Sequence, residues 1–322
     1  MKTKQIFIIV ALIGCLLSAI SQMYAQSDRT FVSSAGIDSS TCGSQASPCR
    51  SFNVAIPNTN SGGEVIALDS GIYDTFNIAI AIPLTLSAAP GAHVQLADTG
   101  SGDRVAVNTG NPGGNVTLRN LTLIRRGTGS GSGINLAGGG TLQIENCLID
   151  GFGIGINVSV GAATQVSITN TVVRNSFQDG VALLSSAGTL KVSINRSRFE
   201  NTTNAGSLEA FGHGVFAQQR SKVTIRDSVA TGNAGAGFYA AASGADLTIE
   251  DSESSNNRDG VIASDHFGVG AGAVTVSNTV VTHNSGIGFY QLGAGVFNSL
   301  GNNNVRRNGT NTTGTINVVS GT

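Results

Sequence analysis

Between Val116 and Asn308 the chain repeats one short pattern of apolar and polar positions: apolar, small polar, apolar, any residue, then Asn or Asp. It reads Val116-Thr-Leu-Arg-Asn120, Leu142-Gln-Ile-Glu-Asn146, Val166-Ser-Ile-Thr-Asn170, Val192-Ser-Ile-Asn-Arg196, Val223-Thr-Ile-Arg-Asp227, Leu247-Thr-Ile-Glu-Asp251 and Val274-Thr-Val-Ser-Asn278, with a worn copy ending at Asn302. Alternation with a period of two marks each copy as a strand with one buried face. A second short strand follows in each unit, marked by Gly and an apolar residue, as in Gly155-Ile156, Gly180-Val181, Gly214-Val215 and Gly260-Val261. The Asn/Asp position recurs at intervals of 26, 24, 26, 31, 24 and 27 residues. A period near 24 built from strands predicts a solenoid coil with two or three strands per turn. The Leu-x-x-Leu-x-Leu consensus of leucine-rich repeats is absent.

Stacking the copies assigns their faces. Val116, Leu142, Val166, Val192, Val223, Leu247 and Val274 form one inward column, and Leu118, Ile144, Ile168, Ile194, Ile225, Ile249 and Val276 form another. Burying each such side chain contributes about 1.5–3 kcal/mol. Thr117, Gln143, Ser167, Ser193, Thr224, Thr248 and Thr275 form an outward polar ladder. In the next outward column Arg119 meets Glu145 and Arg226 meets Glu250 on adjacent rungs, which predicts structural ion pairs worth a fraction of a kcal/mol. The recurrent Asn and Asp mark the bend that follows, where short polar side chains tolerate left-handed backbone.

The segments outside the repeat have other roles. Met1-Lys-Thr-Lys-Gln5, the apolar run 6–20 and Met23-Tyr-Ala25 read as a signal peptide over 1–25. Leu12-Ile-Gly-Cys15 also fits a lipoprotein signal, although the apolar run continues past the cysteine; a membrane contact is expected only if Cys15 is lipidated. Residues 26–62 form an N-terminal cap segment, with a strand and turn from Arg29 to Asp38 and a short helix within 48–56 that sets Phe52 and Ile56 on one face. Such a helix plugs the end of a repeat stack. The β-helix proper is expected over 63–322, with irregular early strands at 76–80, 84–88, 93–96 and 104–107.

Composition supports this reading and narrows the function. Glycine is abundant, at 44 of 322 residues, and charged residues are 11 per cent, which suits short strands and tight turns. The net charge of −1 gives no nucleic-acid-binding character. Export favours a disulfide between Cys42 and Cys49, which flank a short polar loop. Cys147 sits in a column of small residues with Thr171, Ser197, Ser228 and Ser252, and is expected to be a packed free thiol.

These residues resemble the right-handed parallel β-helix, pectate-lyase-like superfamily over about 64–310. Phe31-Val-Ser-Ser-Ala-Gly-Ile-Asp38, Pro48-Cys-Arg-Ser-Phe52 and Asp69-Ser-Gly-Ile-Tyr73 are similar to an N-terminal module found with it in bacteria. The resemblance implies an all-β fold: a right-handed single-stranded parallel β-helix solenoid with a short N-terminal capping helix. It leaves activity open, because the fold carries lyases, hydrolases, epimerases and adhesins.

Candidate chemistry lies where the repeat is broken. The position before the second-strand glycine holds Asp179, His213 and Asp259, and a histidine beside carboxylates can act as an acid–base pair. The longest unit inserts Thr202–Ala210 before His213 and brings Glu209; a second excursion, 264–272, carries Asp265 and His266. Asp179, His213, Asp259 and Glu209 are therefore the catalytic candidates. Phe216, Tyr239 and Tyr290 recur one position after the second-strand apolar residue; packing under the inserted loops or against another subunit is weighed ahead of stacking on sugar rings for them, and with Arg258 and His266 they are the substrate-binding candidates. Gly212-His213-Gly214 matches the Gly-His-Gly motif of polygalacturonase-type hydrolases, but Gln178 and Ile154 replace aspartates of that pattern and its Arg-Ile-Lys motif is missing. Asp265-His266 lacks the proline and final aspartate of the epimerase motif. A calcium-dependent lyase needs clustered acids and a basic catalyst; only Lys191 and Lys222 follow the leader, and Arg174, Arg198 and Arg258 have no acid cluster. No metal site is assigned, and calcium is left open without a clear site. The expectation is a secreted or cell-envelope protein that binds surfaces, with a polysaccharide or cell-surface glycan as candidate partner. The alternatives are a polysaccharide lyase or glycoside hydrolase and a structural adhesin-like envelope protein whose aromatic stripe is an interface.

Overall fold

The structure, a computed structural model, describes residues 26–73, 76–98, 100, 102–110, 113–126, 130–204, 212–266 and 270–320. The signal stretch 1–25 and Glu209 lie outside them. The described strands form three parallel sheets, one of twelve strands and two of ten. The chain visits them in fixed order. Gly140–Glu145 belongs to the twelve-stranded first sheet, Leu148–Asp150 to the second and Ile154–Val160 to the third; the path then returns to the first sheet at Thr164–Thr169. Every unit thus supplies three strands, the upper end of the expected range.

The apolar columns stack as the repeat predicts. Leu142 pairs with Val166 and Ile144 with Ile168, then Val192 and Ile194, then Val223 and Ile225. Both columns are buried, and Ile144, Ile168, Ile194, Ile225 and Ile249 have no exposed surface. The polar column between them points outward because side chains alternate across a strand. The two expected ion pairs form, Arg119 to Glu145 at 2.7 Å and Arg226 to Glu250 at 2.8 Å.

The early strands are more regular than the sequence suggests. Leu84 and Leu86 stack under Val116 and Leu118, Val94 under Leu121, and Val105 under Ile134. The strand Ser27–Val32 pairs with Thr59–Ala67, so the first sheet's ladder already runs through the cap segment and across position 62. Unequal rung lengths, and not a different architecture, hide these rungs from a search at fixed period.

Side-chain ladders satisfy the bends. Asn120, Asn146, Asn170, Asp227, Asp251 and Asn278 have φ between 45° and 59°, the left-handed conformation expected of them, and Arg196 shares it at 46°. In the next column the backbone N–H of Thr171 donates to Ser197 Oγ, that of Ser197 to Ser228 Oγ and that of Ser228 to Ser252 Oγ, each at 3.2 Å. Cys147 lies at one end of this hydroxyl ladder as a buried free thiol, and burial pushes it up to about 11, so it is inert at neutral pH. A second ladder was not anticipated: the N–H groups of Asn233, Asn257 and Asn284 donate to the Oδ1 atoms of Asn257, Asn284 and Asn308 at 3.0, 2.9 and 3.0 Å.

The N-terminal end is closed as expected. Helix α1 (Phe52–Ala55) runs into a 3₁₀ turn at Ile56–Asn58, and Phe52 and Ile56 join the core. Ser51 caps α1 through its side chain, which accepts the Val54 N–H at 3.3 Å. Asp38 Oδ1 accepts the N–H groups of Arg50 and Ser51, fixing the entry to the helix. Cys42 and Cys49 form a disulfide beside it, with Cα atoms 4.9 Å apart. Among the described residues no helix is long and apolar enough to cross a membrane.

Candidate functional site

The catalytic candidates do share a column at the start of the third sheet. Register places Asp179, His213, Ala236 and Asp259 on successive rungs. The column explains itself by backbone capping. Asp103 Oδ1 accepts the Ser132 N–H at 2.7 Å, Asp179 Oδ1 the His213 N–H at 2.9 Å, His213 Nδ1 the Ala236 N–H at 2.9 Å and Asp259 Oδ1 the Ile287 N–H at 2.7 Å. Each acceptor thus serves the first residue of the next rung. The approach is close: a Cβ at Gly235 would lie 2.7 Å from His213 Nδ1, and one at Gly286 2.4 Å from Asp259 Oδ1.

This geometry does not assemble an acid–base pair. The link between Asp179 and His213 runs through the His213 backbone. Asp179 and Asp259 stand three rungs apart, about 14 Å at a rung spacing of ~4.8 Å. Two carboxylates that cleave a glycosidic bond are separated by about 5–9.5 Å. Burial pushes the His213 imidazolium down to about 3, with the charges of Arg258 and His266 acting in the same direction. His213 is therefore neutral near pH 7. Since Nδ1 accepts a hydrogen bond, the ring proton sits on Nε2, which is buried and has no hydrogen-bond partner among the described residues. A base this weak transfers protons poorly at neutral pH. Burial also raises the Asp179 carboxyl to about 7, against the opposing hydrogen bonds from the His213 and Gly212 backbone.

The aromatic candidates are in register but not exposed. Phe216, Tyr239, Ile262 and Tyr290 stack on consecutive strands. The rings of Phe216 and Tyr239 stack at 5.1 Å, and His213 lies 5.0 Å from the first and 4.9 Å from the second. Phe216 is 3 % exposed and Tyr239 is fully buried, with its hydroxyl 2.8 Å from Ser264 Oγ. Tyr290 packs against this cluster, which is separate from the core inside the coil. The rings belong to a second buried cluster outside the coil's core, and an open sugar-stacking platform is not what forms. The signal was in the sequence: Ala236–Ala241 and Asp259–Ser264 are buried at every position, and both read as unbroken runs of small or apolar residues after their first residue. That pattern belongs to a parallel sheet covered on both faces.

The remaining candidates are tied down elsewhere. Arg258 pairs with Asp259 at 3.1 Å, Arg174 with Asp150 at 2.9 Å and Arg198 with Glu200 at 2.5 Å. His266 is half-buried and its N–H donates to Ser264 Oγ at 3.1 Å. The described metal-type cluster is Asp38 with Cys42 and Cys49. Its sulfurs are joined in the disulfide, and one carboxylate is no calcium cage.

An open site lies on the other side of the coil, on the outward face of the first sheet. A cleft of about 610 Å3 runs across five strands from Gly140–Glu145 to Asp246–Glu250. One wall is the column Gln165, Lys191, Lys222 and Asp246, and the other is Gln143, Ser167, Ser193 and Thr224. The second wall is the polar ladder anticipated from the repeat. The first was missed, although it is the position immediately before the first apolar column of each copy.

Three parallel sheets wound by one chain define a β-helix. A family model described as a right-handed beta helix region matches residues 164–322. The chain is similar in structure to the pectate lyase Pel9A, at 18% identity and a TM-score of 0.52, over 88% of this chain and 80% of that one. It is also similar to the A-module of the mannuronan C-5 epimerase AlgE4 from Azotobacter vinelandii, at 11% identity and a TM-score of 0.40, over 80% and 91% of the two chains. No curated protein matches the chain significantly in sequence. By architecture the chain is a parallel β-helix, matched by a right-handed β-helix family model over its second half and similar in fold to a pectate lyase.

Proposed function

We propose that the protein is an extracytoplasmic recognition β-helix that binds polysaccharide in the cleft on its twelve-stranded sheet and performs no covalent chemistry at the His213 column. The observation that carries this reading is the cleft itself, an open trough walled by stacked amide, hydroxyl and amino groups from five successive rungs. Amides and hydroxyls repeated every ~4.8 Å offer donors and acceptors at a spacing close to the advance of one pyranose along an extended glycan. The leader over 1–25 and the Cys42–Cys49 disulfide support export, since disulfides persist in oxidising compartments.

The structural likeness to a pectate lyase keeps the enzyme reading in view, but at 18% identity it speaks for the fold. Against a hydrolase stands the ~14 Å between Asp179 and Asp259, and against either enzyme stand the capping duties of Asp179, His213 and Asp259. The adhesin-like reading relied on the aromatic stripe as an interface, and Phe216 and Tyr239 are already buried within the chain.

Affinity electrophoresis through gels containing neutral and acidic polysaccharides tests the proposal. The chain is expected to be retarded by at least one of them, and Ser193→Trp, which fills the exposed trough, is expected to restore free mobility. Unchanged mobility of the native chain in every gel would overturn it.

A further inference from the structure

We infer that the cleft selects glycans bearing an oxyanion, a carboxylate or a sulfate ester, and that Lys191 and Lys222 hold it; this rests on the reading of the cleft as a glycan site. The cations on the strands of the first sheet follow a rule. Arg29 faces Glu64 at 3.6 Å, Arg119 faces Glu145 at 2.7 Å, Lys222 faces Asp246 at 3.1 Å and Arg226 faces Glu250 at 2.8 Å. Each is matched with an acid on the neighbouring rung. Lys191 breaks the rule. Its rung neighbours are Gln165 on one side and Lys222 on the other, and it makes no ion pair among the described residues.

Two ammonium groups directly opposite on adjacent strands repel. Asp246 offsets the charge of Lys222, and the charge of Lys191 is left for a partner from outside. Lys191 and Lys222 are the only lysines after Lys4, 31 residues apart in sequence and side by side in the cleft. The whole chain carries a net charge of −1, so this is a local positive site on a mildly acidic molecule. A lysine is a compact charge on a flexible stem with three donors, which suits a carboxylate or sulfate presented at variable angles. Gln165 and Ser193 flank the pair and supply hydrogen bonds for the neutral hydroxyls of the same sugar units. The selectivity filter is therefore on the first sheet, on a different face from the His213 column.

Three probes with one backbone separate the possibilities: dextran, carboxymethyl-dextran and dextran sulfate. The native chain is expected to be retarded more by at least one charged form than by dextran, and that excess is expected to fade in high salt as the charges are screened. Lys191→Gln is expected to weaken binding of the charged form about fivefold, equivalent to ~1 kcal/mol. Lys191→Arg, which keeps the charge, is expected to restore most of it. Preference for the carboxymethyl form identifies a carboxylate ligand, and preference for the sulfate form a sulfate ester. Equal retardation by dextran and both charged forms, or an unchanged Lys191→Gln variant, overturns the inference while leaving glycan binding intact. No retardation by any of the three, together with free mobility in the broader panel, removes the glycan reading itself.

Discussion

His213 Nδ1 accepts the backbone N–H of Ala236 at 2.9 Å, one rung further along the coil. That bond turns the most reactive-looking residue of the chain into part of the scaffold. Its ring is consumed on one nitrogen, neutral at physiological pH and packed against both Phe216 and Tyr239. Removing it should damage stability before it touches binding. His213→Ala leaves the Ala236 N–H without an acceptor and opens a void beside two aromatic rings. The expected loss is about 2–4 kcal/mol, read as a lower urea midpoint, with glycan retardation of the folded fraction unchanged.

The pH dependence of stability offers a sharper test, because two buried groups act in opposite directions. Asp179 titrates near 7 in the fold, above its unfolded value of about 3.9. Between those values the folded state holds a proton that the unfolded state has released, so this group makes stability fall as pH rises. His213 titrates near 3 in the fold, below its unfolded value of about 6.5. Between those values the unfolded state holds the extra proton, so stability rises with pH. From about pH 4 to 6.5 the two slopes, each about 1.4 kcal/mol per pH unit, cancel. Urea midpoints of the native chain should be nearly flat across that window. Asp179→Asn should expose a rising slope and His213→Gln a falling one. A native chain with the slope of either variant would contradict the assignment.

The inner asparagine ladder should be as demanding as the apolar core. Asn257 accepts the Asn233 N–H at 3.0 Å and donates to the Ala230 carbonyl at 3.0 Å, both away from water. Asn257→Ala strips partners from two buried backbone groups. About 2–6 kcal/mol should be lost, at ~1–3 kcal/mol for each unsatisfied group. Ile225→Ala in the fully buried column is expected to cost about 2–5 kcal/mol. Denaturant unfolding of the two variants side by side checks whether the polar ladder rivals the apolar one.

The disulfide should stabilise only modestly, because Cys42 and Cys49 are seven residues apart and close a short loop. Replacing both with serine is expected to cost about 2–3 kcal/mol on the chain-entropy account. Hydrogen exchange should locate the loosening in the loop and α1, with the central rungs still protected, since repeat units contact only their neighbours.

Much of the architecture could be read from single residues in register. The Val and Ile columns declare an inward face by alternation, and the Asn and Asp positions declare the bends by tolerating left-handed backbone. Roles that depend on a partner one rung away were not legible. Nothing local to Asp179 says that its carboxylate accepts the N–H of a residue 34 positions later. Nothing local to Phe216 or Tyr239 says that the outer face of the third sheet is covered; only the continuous apolar runs of the neighbouring strands hinted at it. Lys191 and Lys222 became neighbours only when the longest unit, 31 residues, was laid over the one before it. Sequence distance hid the cleft on the first sheet, and the acids and histidine of the third-sheet column gave no local sign that they cap backbone N–H groups.

The most direct test of the account pairs binding with turnover on the same protein. The native chain is incubated with the polysaccharide that retards it most, and released reducing ends and unsaturated uronate products are followed over time. Retention without product is expected, with binding lost in Ser193→Trp and kept in folded His213→Ala. Steady product release by the native chain that disappears in His213→Ala would contradict it.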